Sequence, residues 1–330
     1  MAEIIGDAKR YGSLRESALQ HGITNIDMLF PDAQAVDKTP GFISERDEWV
    51  SAVLNGTHHT PFTRIKSLYA DIREDEARAR GYIKGKLKKE EVFAMLKRTT
   101  QPTTIYKKQK IDRDDMIDIT DFDVVAWLKG EMRVKLDEEL ARAMLIGDGR
   151  ESTSDDKINE ECIRPIWTDS DLYTIKQQMS LAANATDDDK AKAIIKASVQ
   201  SRKNYRGSGN PVMFTTEDDL NNMLLMEDTI GRRLYDTEES LKSALRVSAI
   251  YTVPFMEGQT RTKDGTTYTL HALILNLADY TVGADKGGNV SLFDDFDIDY
   301  NAQKYLIETR CSGSLTKPYS AIAIESVTTA

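Results

Sequence analysis

The chain has 330 residues, of which 40% are hydrophobic and 30% are charged, and its formal net charge is −10 at pH 7. This length can bury a large core, and the composition excludes a disordered chain. The acidic balance makes the chain a poor candidate for tight nucleic-acid binding, which needs a concentrated basic surface, but is compatible with a weak, nonspecific contact with DNA. No apolar run approaches the roughly 20 residues that cross a bilayer, so the sequence predicts no membrane partner.

The N-terminal part of the chain is broken by proline and glycine. Residues 1–57 include Pro31 and Pro40 and mix short helical pieces with irregular ones. We interpret this part as an arm without a core of its own. Within it, residues 44–50 predict the start of a short helix.

Residues 58–120 are the most charged part of the chain. The segment ADIREDEARARGYIKGKLKKEE has almost no large apolar side chain, and residues 103–107 have the composition of a returning strand. Two extended limbs around a polar tip predict a long β-hairpin. Such a hairpin must lie on another surface, because a lone two-stranded ribbon is marginally stable in water. A solvated charged helix followed by a linker is the alternative interpretation.

Residues 121–148 predict a long amphipathic helix. Its apolar side chains recur every three or four residues and form one stripe: Val125, Leu128, Met132, Leu136, Leu140 and Met144. Asp121 is a suitable N-cap and Gly147 a suitable C-terminal stop. An ordinary core-facing helix has the same stripe, so the pattern alone does not identify a fold.

Residues 150–290 predict a mixed α/β unit. In chain order we expect a polar loop at 150–165, then helices at 169–183 and 187–204, and then a strand at 212–215. A third helix should follow this strand, and two further strands are expected at 247–255 and 267–277. Thr186 or Asp187 caps the second helix, and Thr216 with Asp219 resembles a capping box before the third. Gly287 and Gly288 predict a turn.

The segment from Phe293 to Glu325 reads FDDFDIDYNAQKYLIETRCSGSLTKPYSAIAIE. Apolar and polar residues alternate over residues 296–303, which predicts one long half-buried strand. Gly313 predicts a turn after this strand. A short apolar return strand should follow Pro318.

These patterns resemble the major capsid proteins of tailed bacteriophages, which have the Hong Kong 97-type shell fold. In that family a long strand with an acidic start carries an arginine, here Arg310, and a proline follows eight residues later, here Pro318, before a final apolar strand. The closing residues 145–149 of the predicted helix, LIGDG, resemble the end of the family's spine helix. The resemblance covers residues 58–325.

The resemblance implies an α+β fold with a defined order of parts. They are the N-terminal arm, 1–57; the extended hairpin loop, 58–120; the peripheral domain with the long spine helix, 121–165; the α/β axial domain, 166–290; the long strand of the peripheral domain, 291–316; and the C-terminal strand that returns to the axial domain, 317–330.

The resemblance also implies a function. The chain is expected to be a major capsid protein that self-assembles into pentamers and hexamers and forms the icosahedral head shell around a phage genome. Its expected partners are other copies of itself, a portal protein, packaged double-stranded DNA in weak contact and, since only a short arm precedes the hairpin, a separate scaffolding protein. The expected location is the virion, assembled in the host bacterial cytoplasm, and neither enzyme activity nor a cofactor or metal is expected.

One covalent chemistry follows from the same resemblance. In some members a hairpin lysine of one subunit attacks an asparagine carboxamide of another, and a glutamate accepts the proton. The amine must be neutral to attack, which requires a carboxylate base in an apolar pocket. The matching positions in this chain are Asn301, Glu308, Lys84, Lys86, Lys88 and Lys89. Their odd spacing places Asn301 and Glu308 on opposite faces of a regular strand, and two polar residues on a half-exposed strand are the simpler interpretation.

Two other functions stay open on the sequence: an encapsulin-type nanocompartment shell with the same fold, and a soluble α/β enzyme. The sequence contains no GxSxG, P-loop, GxGxxG or HExxH pattern, so no catalytic motif supports the enzyme alternative. His58 and His59 are expected in a loop, and His271 has no neighbour in the sequence that suggests a site. Cys162 and Cys311 are expected to be free thiols. The aspartate clusters at 187–189 and 294–295 are expected to cap a helix and to face solvent.

Overall fold

The computed structural model describes residues 47–71, 94–113, 124–181, 185–228, 230–284 and 290–328. Helices and sheets are mixed, as predicted. The helices are α1 Glu48–Gly56, α2 Val124–Leu145, α3 Asp187–Ser201, α4 Glu217–Leu225 and α5 Glu238–Leu245. The strands are β1 His58–Thr60, β2 Lys66–Asp71, β3 Ala94–Thr99, β4 Thr103–Asp112, β5 Thr174–Met179, β6 Val212–Thr215, β7 Ile250–Thr252, β8 Thr260–Lys263, β9 Thr266–Leu275, β10 Tyr280–Ala284, β11 Ser291–Asp297, β12 Ala302–Leu315 and β13 Ala321–Thr328.

The described residues divide into two compact bodies. The first consists of residues from the ranges 108–132 and 293–306, and the second contains the remaining described residues. Helix α2 and strands β4 and β12 each contribute residues to both bodies.

The second body is built on a sheet with the strand order β5-β13-β9-β6-β7, in which β8 also pairs with β9. β13 lies parallel to β5 and antiparallel to β9. Its apolar residues pack into a core with α3, α4 and α5, formed among others by Ile194, Met213, Met223, Leu241, Ile274 and Ile322, which are all at most 9% exposed. The predicted α/β unit is therefore stabilised by apolar packing of helices α3, α4 and α5 against the central strands of this sheet.

Helix starts in this body follow the predicted capping chemistry. The Thr186 hydroxyl accepts a hydrogen bond from the Asp189 amide at 3.3 Å, and the Asp189 carboxylate accepts one from the Thr186 amide at 3.2 Å. This reciprocal box caps α3 and explains the acidic run at its start. At α4 the Thr216 hydroxyl accepts from the Asp219 amide at 3.2 Å, so Thr216 is the N-cap as predicted, but the reciprocal bond of a capping box does not form.

Two predicted elements of the same region need correction. Residues 174–179 form strand β5 and not part of a helix over 169–183, because they pair along β13 from Ala321 to Ser326. This long-range pairing outweighs the moderate helix propensity of the local sequence TIKQQM. The strand expected over 247–255 covers only 250–252, since Pro254 starts a short 3-10 helix. The expected turn at Gly287-Gly288 lies outside the described residues.

Helix α2 confirms the long helix, but Glu131 and Asp137 are buried along it together with apolar residues, so the predicted one-sided apolar pattern is not confirmed. Its end is fixed at Gly147, which has φ +96° and whose amide donates to the Arg142 carbonyl at 3.1 Å. Glycine adopts this left-handed conformation without a steric penalty. The predicted N-cap Asp121 lies outside the described residues. Of the predicted stripe, Met132, Leu136 and Met144 are buried, whereas Val125, Leu128 and Leu140 are only half-buried.

We expect Leu136→Ala to lower the free energy of unfolding by about 2–5 kcal/mol, because the side chain is 2% exposed and its removal leaves a cavity. Leu225 of α4 is 54% exposed and provides the matched control, for which the loss should be much smaller. Urea unfolding of the unassembled subunit measures both values. Equal losses for the two variants would mean that the α2 stripe is not core.

Strands β2 and β3 form the expected hairpin limbs. They pair antiparallel from Lys66 opposite Thr99 to Asp71 opposite Ala94. The returning limb is thus β3, which the sequence analysis did not identify, whereas residues 103–107 belong to β4, a strand that pairs with β12. The tip between the two limbs lies outside the described residues.

A further sheet contains β1, β10 and β12. β10 lies antiparallel to β12, with Val282 opposite Gly313. The predicted turn at Gly313 is therefore wrong, because the residue lies inside a strand. A Cβ atom on Gly313 would lie 2.5 Å from the Tyr280 hydroxyl oxygen, which explains why glycine occupies a strand interior.

Candidate assembly surface

The chain reverses direction within the segment that was predicted as one strand. β11 ends at Asp297, β12 begins at Ala302, and Asn301 in the connecting turn has φ +47°. Asparagine tolerates this left-handed conformation better than other residues with a side chain, so it suits the turn. The prediction of one strand over 296–303 is wrong, and the segment forms a tight turn between neighbouring strands.

This reversal exposes apolar side chains that the alternation placed in the core. Phe293 is 52% exposed, Phe296 39%, Ile298 84% and Tyr300 68%. Four carboxylates alternate with them: Asp294, Asp295, Asp297 and Asp299. We call residues 293–300 the acidic edge, since β11 is the terminal strand in the order β1-β10-β12-β11. A group of exposed apolar residues on an edge strand and the turn that follows it is typical of an interaction site.

Part of the acidic edge is already neutralised inside the first body. Asp297 forms an ion pair with Lys304, whose hydrogen bond lowers the pKa of the Asp297 carboxyl. The Lys110 ammonium lies 4.3 Å from the centre of the Tyr300 ring, and the Arg113 guanidinium lies 5.8 Å from that of Phe296. Lys110 of β4 and Arg113, which directly follows the strand, therefore place cations beside two aromatic rings of the acidic edge.

The base of the β2–β3 hairpin is anchored in the second body by a buried ion pair. Arg98 of β3 donates to Asp169 at 2.7 Å, and their side chains are 9% and 2% exposed. The Arg98 guanidinium also lies 4.0 Å from the centre of the Tyr173 ring. This contact fixes the strand that leads out of the hairpin tip. Neither the ion pair nor the contact with the Tyr173 ring was predicted, because Arg98 is far in the sequence from both partners.

The structure describes two of the residues of the cross-link hypothesis. Asn301 is exposed in the turn of the first body, and its carbonyl accepts from the Arg113 amide at 3.0 Å. Glu308 is half-buried on the part of β12 that belongs to the second body. The face argument for a regular strand does not apply to Asn301, which lies outside the strand. The lysine candidates Lys84, Lys86, Lys88 and Lys89 lie outside the described residues.

Other polar candidates have local partners. A His59 ring nitrogen lies 2.9 Å from the Leu54 carbonyl, and His59 belongs to β1 and not to a loop. Among the described residues no group of three or more potential metal ligands occurs. Both cysteines are free, as predicted, and burial raises the pKa of the Cys311 thiol to about 12.

His271 has two partners that its sequence neighbourhood did not indicate. Its ring nitrogens lie 3.0 Å from the Asp219 carboxylate and 3.0 Å from the Ser326 hydroxyl. The sheet brings these three residues together from distant parts of the chain.

A family model described as the phage capsid family matches residues 59–326. The chain belongs to the phage capsid family. It is accordingly a structural protein of the virion, a major capsid protein that forms the shell of the phage head. Neither the encapsulin nor the enzyme alternative is favoured by this match. No described helix has the length and apolar character needed to cross a membrane.

Solved structures have the same fold at low sequence identity. The capsid of a native GTA particle is similar with a TM-score of 0.59 and 14% identity, over 89% of this chain and 95% of the other. A chain of Mycobacterium phage Bobi has a TM-score of 0.56 and 11% identity, over 92% and 98% of the two chains. The mature capsid of bacteriophage PhiM1 has a TM-score of 0.55 and 10% identity, over 89% and 91%. The comparison with curated proteins gave no match.

Proposed function

We propose that this phage capsid protein assembles into pentamers and hexamers, and that these close into the icosahedral shell that encloses the genome. The observation that carries the proposal is the acidic edge, whose apolar side chains need a protein surface to cover them. Many such contacts per shell add up to a stable assembly even if each is weak. Assembly takes place in the host cytoplasm with a scaffolding protein and a portal protein, and the inner surface contacts packaged DNA weakly.

The hairpin tip of a second copy is the partner that we assign to the acidic edge. Residues 77–89, ARARGYIKGKLKK, carry six cationic side chains and no acidic one, whereas residues 293–300 carry four carboxylates and no cation. Both segments also contain apolar residues, such as Tyr82, Ile83 and Leu87 in the tip. Opposite charge steers the two surfaces together, and the apolar side chains then stabilise the contact.

Deletion of residues 78–92 should leave the subunit folded but block assembly. The deleted segment adds no described residue to the core, and the Arg98–Asp169 anchor lies outside it. Calorimetry should give a thermal transition close to that of the full chain, while sedimentation should give no species larger than a capsomer. Loss of the thermal transition would show that the segment belongs to the core.

We propose further that the shell is held together without covalent cross-links, and that the arm, hairpin, peripheral and axial parts follow the family order given above. Mature particles boiled in detergent should then run as monomer. A ladder of covalent oligomers that disappears in Asn301→Ala and in Glu308→Gln would contradict this and would establish the isopeptide reaction, since the second variant removes the base but keeps the side-chain shape.

A further inference from the structure

A hydrogen-bonded chain of three side chains crosses one face of the sheet in the second body. Asp219 lies in the first turn of α4, His271 on β9 and Ser326 near the end of β13. The carboxylate can only accept, so the ring nitrogen Nδ1 of His271 carries the proton donated to Asp219 at 3.0 Å. In the neutral ring the other nitrogen, Nε2, accepts from the Ser326 hydroxyl at 3.0 Å.

The Asp219 carboxylate does not form the capping-box hydrogen bond that its sequence position predicts. In α3 the motif Thr186-x-x-Asp189 closes a reciprocal capping box, in which the carboxylate returns to the N-cap residue. In α4 the same motif retains the bond from the Asp219 amide to the Thr216 hydroxyl, but the carboxylate bonds to His271. The cap of α4 therefore lacks its second hydrogen bond, and Asp219 orients an imidazole.

The backbone at His271 is irregular, because strand β9 has a β-bulge there. β13 pairs Ile324 with Ala272 but Glu325 with Leu270, so His271 is the extra residue of a β-bulge on β9. A bulge redirects a side chain, and bulges are frequent next to active sites. The His271 carbonyl also accepts from the Thr215 hydroxyl at 3.0 Å, which fixes the bulge from the β6 side.

We propose that Asp219, His271 and Ser326 form an acyl-accepting site, with Ser326 as the nucleophile for a small carboxylic ester. The order carboxylate, imidazole and hydroxyl, with both hydrogen bonds within reach of proton transfer, is the arrangement that activates serine nucleophiles on unrelated folds. The donor must be compact, because Ser326 is 7% exposed and the His271 side chain 14%. This reactivity is independent of shell formation.

The reaction is an acyl transfer in which the proton of the Ser326 hydroxyl ends on the leaving alcohol. The Ser326 oxygen forms a bond to the ester carbonyl carbon, and its proton passes to Nε2 of His271. The bond between the carbonyl carbon and the leaving alcohol breaks, and the alcohol oxygen takes the proton from His271. Asp219 stays ionised and stabilises the imidazolium between the two transfers.

The test uses the full chain and p-nitrophenyl acetate, with the acetylated residue located by peptide mass spectrometry. We expect up to one nitrophenolate released rapidly per chain and the acetyl group on Ser326. His271→Gln should slow acetylation by about a hundredfold or more, since it removes the base, and Asp219→Asn by at least about tenfold. Asp189→Asn is the matched control, because in the same motif of α3 the Asp189 carboxylate bonds to Thr186, and the acetylation rate should be unchanged.

The wild-type measurement alone can overturn the proposal. Acetyl groups spread over lysines and other serines, with none on Ser326 of the folded chain, would show that the three residues are a structural hydrogen-bond network only. The same conclusion holds if Ser326 is acetylated but the rate is equal in folded His271→Gln.

Discussion

Charge reversal at the acidic edge should abolish assembly of this capsid protein, and a second reversal in the hairpin tip should restore it. In the proposed contact, Asp294→Lys with Asp295→Lys removes the net negative charge of the acidic edge and places two cations against the cationic tip, where like charges repel. Adding Lys88→Glu and Lys89→Glu to the same chain exchanges the charge at two positions on each surface and recovers attraction between these positions. Sedimentation at low ionic strength measures the assembled fraction, since salt screens exposed charges.

The control for this experiment is a charge change of equal size elsewhere. Glu151 and Asp155 are exposed in the polar loop after α2, so Glu151→Lys with Asp155→Lys changes the net charge equally without touching the acidic edge. This variant should assemble as the parent does. Equal loss of assembly in both pairs, or failure of the fourfold variant to recover, would show that the tip and the acidic edge are not partners.

Removal of Arg261 should cost more stability than any change in the exposed polar residues. Glu325 has a fully buried side chain and accepts two hydrogen bonds from Arg261, both 2.6 Å long, and one from the Trp167 indole at 2.7 Å. The same bonds raise the pKa of Arg261. Arg261→Ala leaves a buried carboxylate with one donor, and we expect a loss of about 3–5 kcal/mol in the free energy of unfolding.

Two further variants separate the buried charge from lost packing. Lys263 lies on the same strand β8, and its ion pair with Asp171 is at the surface, so Lys263→Ala should lose at most about 1 kcal/mol. Arg261→Met combined with Glu325→Leu removes both charges and should recover most of the stability lost in Arg261→Ala. A double variant as unstable as the single one would mean that packing and not the unpaired charge causes the loss.

The sequence was sufficient to predict a helix where the apolar spacing and the capping residues both lie within the helix or next to it. The stripe of α2 and the stop at Gly147 could be predicted because both depend on residues within a few turns. The cap at Thr186 was predicted for the same reason. Strand β5 was not, since its pairing with β13 involves residues far away in the chain and its local sequence favours a helix.

The candidate site shows a second limit of sequence reasoning. Alternating residues over 296–303 fit one half-buried strand and two strands joined by a turn equally well, so the pattern could not assign Ile298 and Tyr300 to the surface. Asn301 was the available signal, because asparagine is favoured where φ is positive. The partners of His271 had no comparable signal, since Asp219 and Ser326 meet it only through the sheet.

The central claim is that copies of this chain form a closed shell through their own surfaces. Negative-stain electron microscopy of the purified full chain, over a range of protein concentrations, tests it most directly. We expect rings of five or six subunits and round closed particles, increasing in number with concentration. A population that stays monomeric at every concentration, with sedimentation giving one compact species, would contradict it.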